Sequence, residues 1–239
     1  MLKFNIPKAS NKKELNQILS GTSVKVPGRN EGRQTNHTEK WSICYLLSTL
    51  SSENRLTFPL SLEHKDKPDF SLSMNDMIIG IEVTESIPTD YAKCCAMAER
   101  INPKAEVDMS LFKWGQKQKT TAELREIINQ TELTGDGWDG DRPEIEWANF
   151  INYAILIKLA KLKKTGYRNL SKYWLSIYDN LPLPFVHSQQ ATEILISNFS
   201  KNWNGGKMFS RIYIERGPII IEINENRIAK NFKIVDLWS

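Results

Sequence analysis

Lys67–Glu85 reads KPDFSLSMNDMIIGIEVTE, and its pattern decides the fold. In the first half Phe70, Leu72 and Met74 alternate with Asp69, Ser71 and Ser73. The second half, Met77–Val83, is Ile-rich and almost wholly apolar. Alternation, a short polar break at Asn75-Asp76 and a second strand-forming run predict a β-hairpin. With Asn75 and Asp76 as the two turn residues, Asp69 lies opposite Glu82 and Ser71 opposite Gly80. Directly opposed side chains have Cβ atoms about 4.5–5.5 Å apart. Two carboxylates that close repel unless a positive charge lies between them. A divalent metal ion supplies it: hard cations such as Mg²⁺ (or Mn²⁺) take one or two carboxylates with water and substrate phosphate. A carboxylate buried in an apolar strand also needs pairing or a metal, because its desolvation costs several kcal/mol. Gly80, on the same face as Glu82, leaves space for a close approach to the backbone. The alternative is an edge hairpin with Asp69 in a turn and Glu82 in a salt bridge.

Pro68-Asp69 followed by Glu82-Val83-Thr84 resembles the PD-(D/E)XK phosphodiesterase superfamily, the restriction-endonuclease-like nucleases. The resemblance implies an α/β fold with a mixed central sheet flanked by helices. It also implies Mg²⁺-dependent phosphodiester hydrolysis, of DNA before RNA, with Asp69, Glu82 and the Val83 carbonyl on the metal. In that family a Lys two residues after the Glu orients the attacking water. Thr84 stands there instead, so the positive charge must come from elsewhere or the activity is lost. Lys158 is the candidate replacement, with Lys161 next. In relatives lacking the hairpin Lys, a Lys or Gln on the following helix can reach the metal site.

Upstream, Thr38–Leu50 has a helical apolar face of Trp41, Cys44, Tyr45, Leu47 and Leu50. Two roles fit Glu39. Asn36 and Glu39 have capping-box spacing; the resemblance instead places a first-turn acid beside the metal. Residues 1–37 are expected to be a basic arm ahead of a single nuclease-like α/β domain, 38–239, with a short helix near Lys12–Leu19. Arg29 and Arg33 would contact phosphate if the arm binds nucleic acid; otherwise it is a solvated terminus. Leu56–Leu62 reads as a first short strand.

Downstream, a helix opens at Pro88 and runs to about Ile101. Residues 102–142 are irregular apart from a helix near Thr121–Glu132, and they hold Lys113, Lys117 and Lys119. Thr134–Asp141 (TGDGWDGD) has the composition of a calcium loop without the EF-hand spacing. Pro143–Lys164 is the longest helix. Lys158 is the only charge in its apolar stretch Tyr153–Ala160, and either points at the carboxylates or lays its stem over the core. Lys163, Lys164 and Arg168 extend a basic patch, which serves as a phosphate track or complements the helix dipole. A strand at Tyr173–Tyr178, a helix at Gln190–Ser200, a hairpin of Phe209–Glu215 with Ile219–Ile223 and a last strand at Ile234–Trp238 complete the order. Helices alternating with strands predict an α/β sandwich.

The whole chain is compatible with one sizeable domain at 239 residues. Sparse cysteines, Cys44 and the adjacent Cys94-Cys95, and the lack of an N-terminal apolar segment predict a reducing, cytoplasmic setting and neither secretion nor membrane insertion. His37, His64 and His187 share no metal-site spacing. No GxSxG, P-loop or GxGxxG is present, which leaves a serine nucleophile or a nucleotide loop without support. A net charge of +4 permits nucleic-acid binding without demanding it. The rival to a nuclease is the same fold with a degenerate site, binding nucleic acid or a protein partner.

Overall fold

The computed structural model describes residues 4–28, 31–130, 132–164, 166–167, 169–203 and 207–238. In chain order the elements are β1 (Ile6–Ala9), α1 (Lys12–Ser20), α2 (Thr35–Ser52), β2 (Leu60–His64), β3 (Phe70–Met74), β4 (Met77–Ser86) and α3 (Thr89–Ile101). Then follow α4 (Thr121–Asn129), α5 (Arg142–Leu162), β5 (Lys172–Asp179), α6 (Ser188–Phe199), β6 (Arg211–Arg216), β7 (Ile219–Asn224) and β8 (Ala229–Lys233). Among the described residues the strands form one mixed sheet in which spatial order equals chain order, β1 to β8. The central pairs β4–β5 and β5–β6 are parallel and all others antiparallel. Each parallel step requires a long crossover. The segment carrying α3, α4 and α5 makes the first and α6 the second.

Side-chain alternation sorts the strands into two cores. On one face Ile79, Ile81 and Val83 of β4 join Trp174, Tyr213 and the β2–β3 residues beneath α1 and α2. On the other, Leu175, Ile177, Ile212 and Ile214 pack under α5 and α6, with α3 and α4 outside. The result is a three-layer α/β architecture. Trp147, Ile151, Ile155 and Leu162 of α5 are completely buried. The helix starts with Pro143 in its first turn, where a missing N–H costs nothing.

The hairpin pairs symmetrically outward from Asn75-Asp76: Met74 opposite Met77, Ser71 opposite Gly80, Phe70 opposite Ile81. Asn75 takes the positive φ of 48° that this tight turn needs. Other expectations change. The space at Gly80 is already filled, since a Cβ there would lie 2.7 Å from the Tyr173 ring and 2.9 Å from the Pro68 ring. Helix α2 begins at Thr35, so Asn36 is inside it and Glu39 is not its N3 residue. The cap belongs to Gln34, whose N–H is accepted by His37 Nδ1 at 3.0 Å. The first hairpin neighbour is Leu60–His64 rather than Leu56–Leu62, and the last strand is Ala229–Lys233 rather than Ile234–Trp238. There, the tight Gly217-Pro218 turn leaves Ile219–Asn224 an unpaired edge that residues 229–233 reach first.

The basic N-terminal arm is shorter than expected. Residues 6–9 pair with β2 at the sheet edge, and Leu15 and Leu19 of α1 are fully buried. Their apolar period outweighs the surrounding lysines, because each buried Leu is worth about 1.5–3 kcal/mol. Trp238 Nε1 then donates to the Leu19 and Thr22 carbonyls, tying both termini together. Arg29 lies outside the described residues.

Candidate functional site

Asp69 and Glu82 come together at the mouth of the β3–β4 hairpin. Asp69 follows Pro68 immediately before β3, and its Oδ2 accepts the Val83 N–H at 2.7 Å. This bond extends the hairpin by a side chain and fixes the Asp69 carboxylate toward Glu82. Glu82 is 1% exposed. Between the two lies Lys158 Nζ, 3.0 Å from Asp69 Oδ2 and 2.7 Å from Glu82 Oε2. The Lys158 stem comes from α5 and brings the ammonium to the carboxylates, and with its side chain 7% exposed the head does not snorkel to solvent. The second Glu82 oxygen accepts the Tyr167 hydroxyl at 2.9 Å. Tyr167 comes from the turn after α5, just past Gly166, whose φ of 96° a glycine takes without strain.

Glu39 completes an acidic cluster from the α2 side. Its Oε2 is 3.3 Å from His64 Nε2. His64 Nδ1 accepts the Phe4 N–H at 3.5 Å, which leaves Nε2 as the protonated nitrogen that donates to Glu39. The His64 ring stacks on Phe70 at a centroid distance of 4.8 Å.

The electrostatics show a shortage of positive charge. Burial pushes Glu39 up to about 7, and the Asp69 and Glu82 charges add to it, with Lys158 and Lys161 opposing. Burial and the Asp69 charge hold Glu82 above the ordinary carboxylate range despite its contact with Lys158. Lys158 loses from burial and gains more from its two carboxylates, so its ammonium is held above its ordinary value. The Lys158 ammonium is thus shared by two carboxylates in contact with it, while Glu39 feels it and Lys161 at longer range.

A cavity of about 260 Å³ opens beside this cluster, lined by Arg33, Gln34, Thr35, Thr38, Glu39, Val83, Thr84 and Glu85. Arg33 Nη2 donates to Thr38 Oγ1 at 3.1 Å and lies 3.5 Å from Glu85. Thr84 is part of this wall. Lys161 is exposed one turn beyond Lys158, near enough for its charge to act on Glu39. Lys163 and Lys164 are exposed at the α5 C-terminus. Arg168 lies outside the described residues.

Asp69, Glu82, Val83, Lys158, Glu39 and, at longer range, Lys161 are therefore brought to one place. Tyr167 and His64 were missed. Tyr167 carries no spacing signal, although it stands among the basic residues after α5. His64 ends the strand paired with β3, opposite Phe70, and that register was the available clue. Among the described residues, no group of three His, Cys, Asp or Glu side chains is drawn close enough to hold a metal ion. Lys158 takes up the space between the two strand carboxylates. A hard cation would meet oxygen donors and an excess of acid here, but it would have to displace the Lys158 ammonium to reach both carboxylates. No helix among the described residues is long and apolar enough to cross a membrane. Searches with this chain match no family model, no curated protein and no solved structure.

Proposed function

We propose that this protein is a divalent-metal-dependent phosphodiesterase acting on nucleic acid, most naturally DNA, in the manner of the restriction-endonuclease-like nucleases. The observation that carries the reading is Lys158 Nζ within hydrogen-bonding distance of both Asp69 and Glu82. An ammonium delivered from a helix replaces the lysine that Thr84 lacks. Asp69, Glu82, Glu39 and the Val83 carbonyl would hold Mg²⁺ or Mn²⁺. That ion supplies Lewis-acid polarisation of the scissile phosphate and a more acidic bound water.

The chain's own groups supply the rest. Lys158 stabilises charge developing on phosphate oxygens once a phosphate stands beside it. Tyr167 orients Glu82 through its hydroxyl. Glu39, raised to about 7 by burial and by its acidic neighbours, is the acid that a bound cation would turn to its ionised form. His64 fixes the orientation of Glu39. Arg33 and the cavity it lines provide for a flanking phosphate.

The experiment is incubation of the purified protein with plasmid, single-stranded DNA and RNA in Mg²⁺, Mn²⁺ or EDTA. Cleavage with metal and none in EDTA is expected, with Asp69→Asn and Glu82→Gln inactive. A second reading, a non-catalytic nucleic-acid-binding module, is favoured by one feature: Lys158 already pairs both carboxylates without any added ion. Binding without cleavage under every metal would select it.

A further inference from the structure

The segment Lys113–Lys119 (KWGQKQK) and one face of α5 have no part in the chemistry above, yet they present an unusual surface. Trp114 is 40% exposed and Tyr153 51%. Their rings meet at a centroid distance of 5.3 Å and an interplanar angle of 61°. Phe150 meets Trp114 edge-on at 90° from below. Both contacts are edge-on, so neither neighbour stacks flat against the indole. The backbone beneath is fixed, because the Trp114 N–H donates to Glu146 at 2.7 Å. Trp114 and Tyr153 thus line a cavity of about 300 Å³, together with Lys113, Lys117 and Lys119. That is the small end of ligand-pocket sizes.

The charge of this cavity is uneven. Asp90 lines it too, and its carboxylate accepts the Lys119 N–H. Lys113 lies 3.5 Å from Asp136, and Lys119 sits over the Phe112 ring at 5.6 Å. Lys117 is exposed.

The surface continues toward the carboxylates. Tyr153, Ile157, Lys161 and Lys164 are exposed at helical spacing along α5. Tyr153 precedes Lys158 by about 7.5 Å of helix axis. Lys161 is exposed one turn beyond Lys158 on α5, and its charge reaches Glu39 at longer range.

We propose that Trp114, Tyr153 and Ile157, with Lys117, Lys119 and Lys161, form a track for single-stranded nucleic acid leading into the Asp69–Glu82–Lys158 site. Aromatic faces interleaved with lysines match a strand whose bases are unstacked and whose phosphates are exposed. A duplex hides its base faces and would use only the lysines. The proposal rests on the nucleic-acid reading of the site and names its substrate class: a single strand, or the single-stranded end of a duplex.

Binding is measured with the full chain in EDTA, so that cleavage plays no part, by fluorescence anisotropy of labelled 20-nucleotide single-stranded DNA, the same RNA and a 20-base-pair duplex. Trp114→Ala and Tyr153→Ala are each expected to weaken single-strand binding roughly 5- to 150-fold, leaving duplex binding and the salt slope unchanged. Trp114→Phe should restore most of the loss. Lys117→Ala with Lys119→Ala should flatten the single-strand salt slope by up to about 1.4. Should Trp114→Ala unfold, Tyr153→Ala on the exposed face of α5 decides alone. Unchanged single-strand affinity in Tyr153→Ala, or equal losses for single strand and duplex, would overturn the proposal. Either result would leave metal-dependent cleavage of duplex DNA intact as a separate question. DNA and RNA arms of equal strength support the track and place sugar discrimination elsewhere.

Discussion

At the scale of single residues, Lys158 is the group whose removal is most informative. It neutralises two buried carboxylates, and taking one partner from a buried ion pair costs roughly 3–5 kcal/mol. Lys158→Met is therefore expected to lose cleavage and to melt well below the parent chain in EDTA. Added Mn²⁺ should restore more stability to the variant than to the parent, because the acids then have no other cation. Thermal melts with and without metal check this. Equal metal responses would place the ion away from Lys158. A pH signature belongs to Glu39 and Glu215. Burial pushes Glu215 up to about 8, on the α2 face near Tyr45 and Tyr178, and Glu39 rises to about 7. An acid whose folded value lies above its unfolded one binds more protons in the fold. Its stability contribution is full below about pH 4.5 and is lost as pH rises to the folded value. Stability should fall by a few kcal/mol between pH 5 and pH 9. Glu39→Gln should flatten the curve from pH 4.5 to 7 and Glu215→Gln from 4.5 to 8, as denaturation midpoints across pH would show.

At the scale of elements, the hairpin was legible because its turn and its alternation point to one register. Asp69 opposite Glu82 followed from that register alone. The long helix was equally plain, and its lone lysine marked the spot that reaches the carboxylates. Short elements were less readable. β1 has only four residues, and its lysines disguise Ile6 and Ala9. The α2 start was misread because Asn36 and Glu39 mimic a cap that Gln34 and His37 provide. Nothing local says that Tyr167, six residues beyond Lys161, folds back onto Glu82, since that contact depends on how the turn leaves α5. Gly80 illustrates a related point: its missing side chain accommodates Tyr173 and Pro68 rather than a ligand. Gly80→Ala is expected to destabilise by about 1–3 kcal/mol through overpacking, measurable as a lower urea midpoint. An unchanged midpoint would mean that the Tyr173 ring moves freely.

At the scale of the whole molecule, residues 6–9 close one end of the sheet. Deleting residues 1–10 would expose the β2 edge and remove the Phe4 N–H that sets the His64 tautomer. Such a chain is expected to lose at least about 2 kcal/mol from the burial of Ile6 alone, and to self-associate through its open edge. Melting and size-exclusion chromatography measure both. The strand order carries a kinetic meaning as well. Because neighbours in the sheet are neighbours in the chain, β2–β4 and β6–β8 are built from local pairings, and within the sheet the β4–β5 seam, Ile79 against Lys172, spans the long α3–α5 excursion. Distant contacts form late, after the loop entropy between them has been overcome. Asp69 and Glu82 belong to one half, and Lys158 and Tyr167 arrive with the segment that closes the seam. A newly made chain would hold its two acids unneutralised until α5 docks, so the site becomes whole only when that central seam closes.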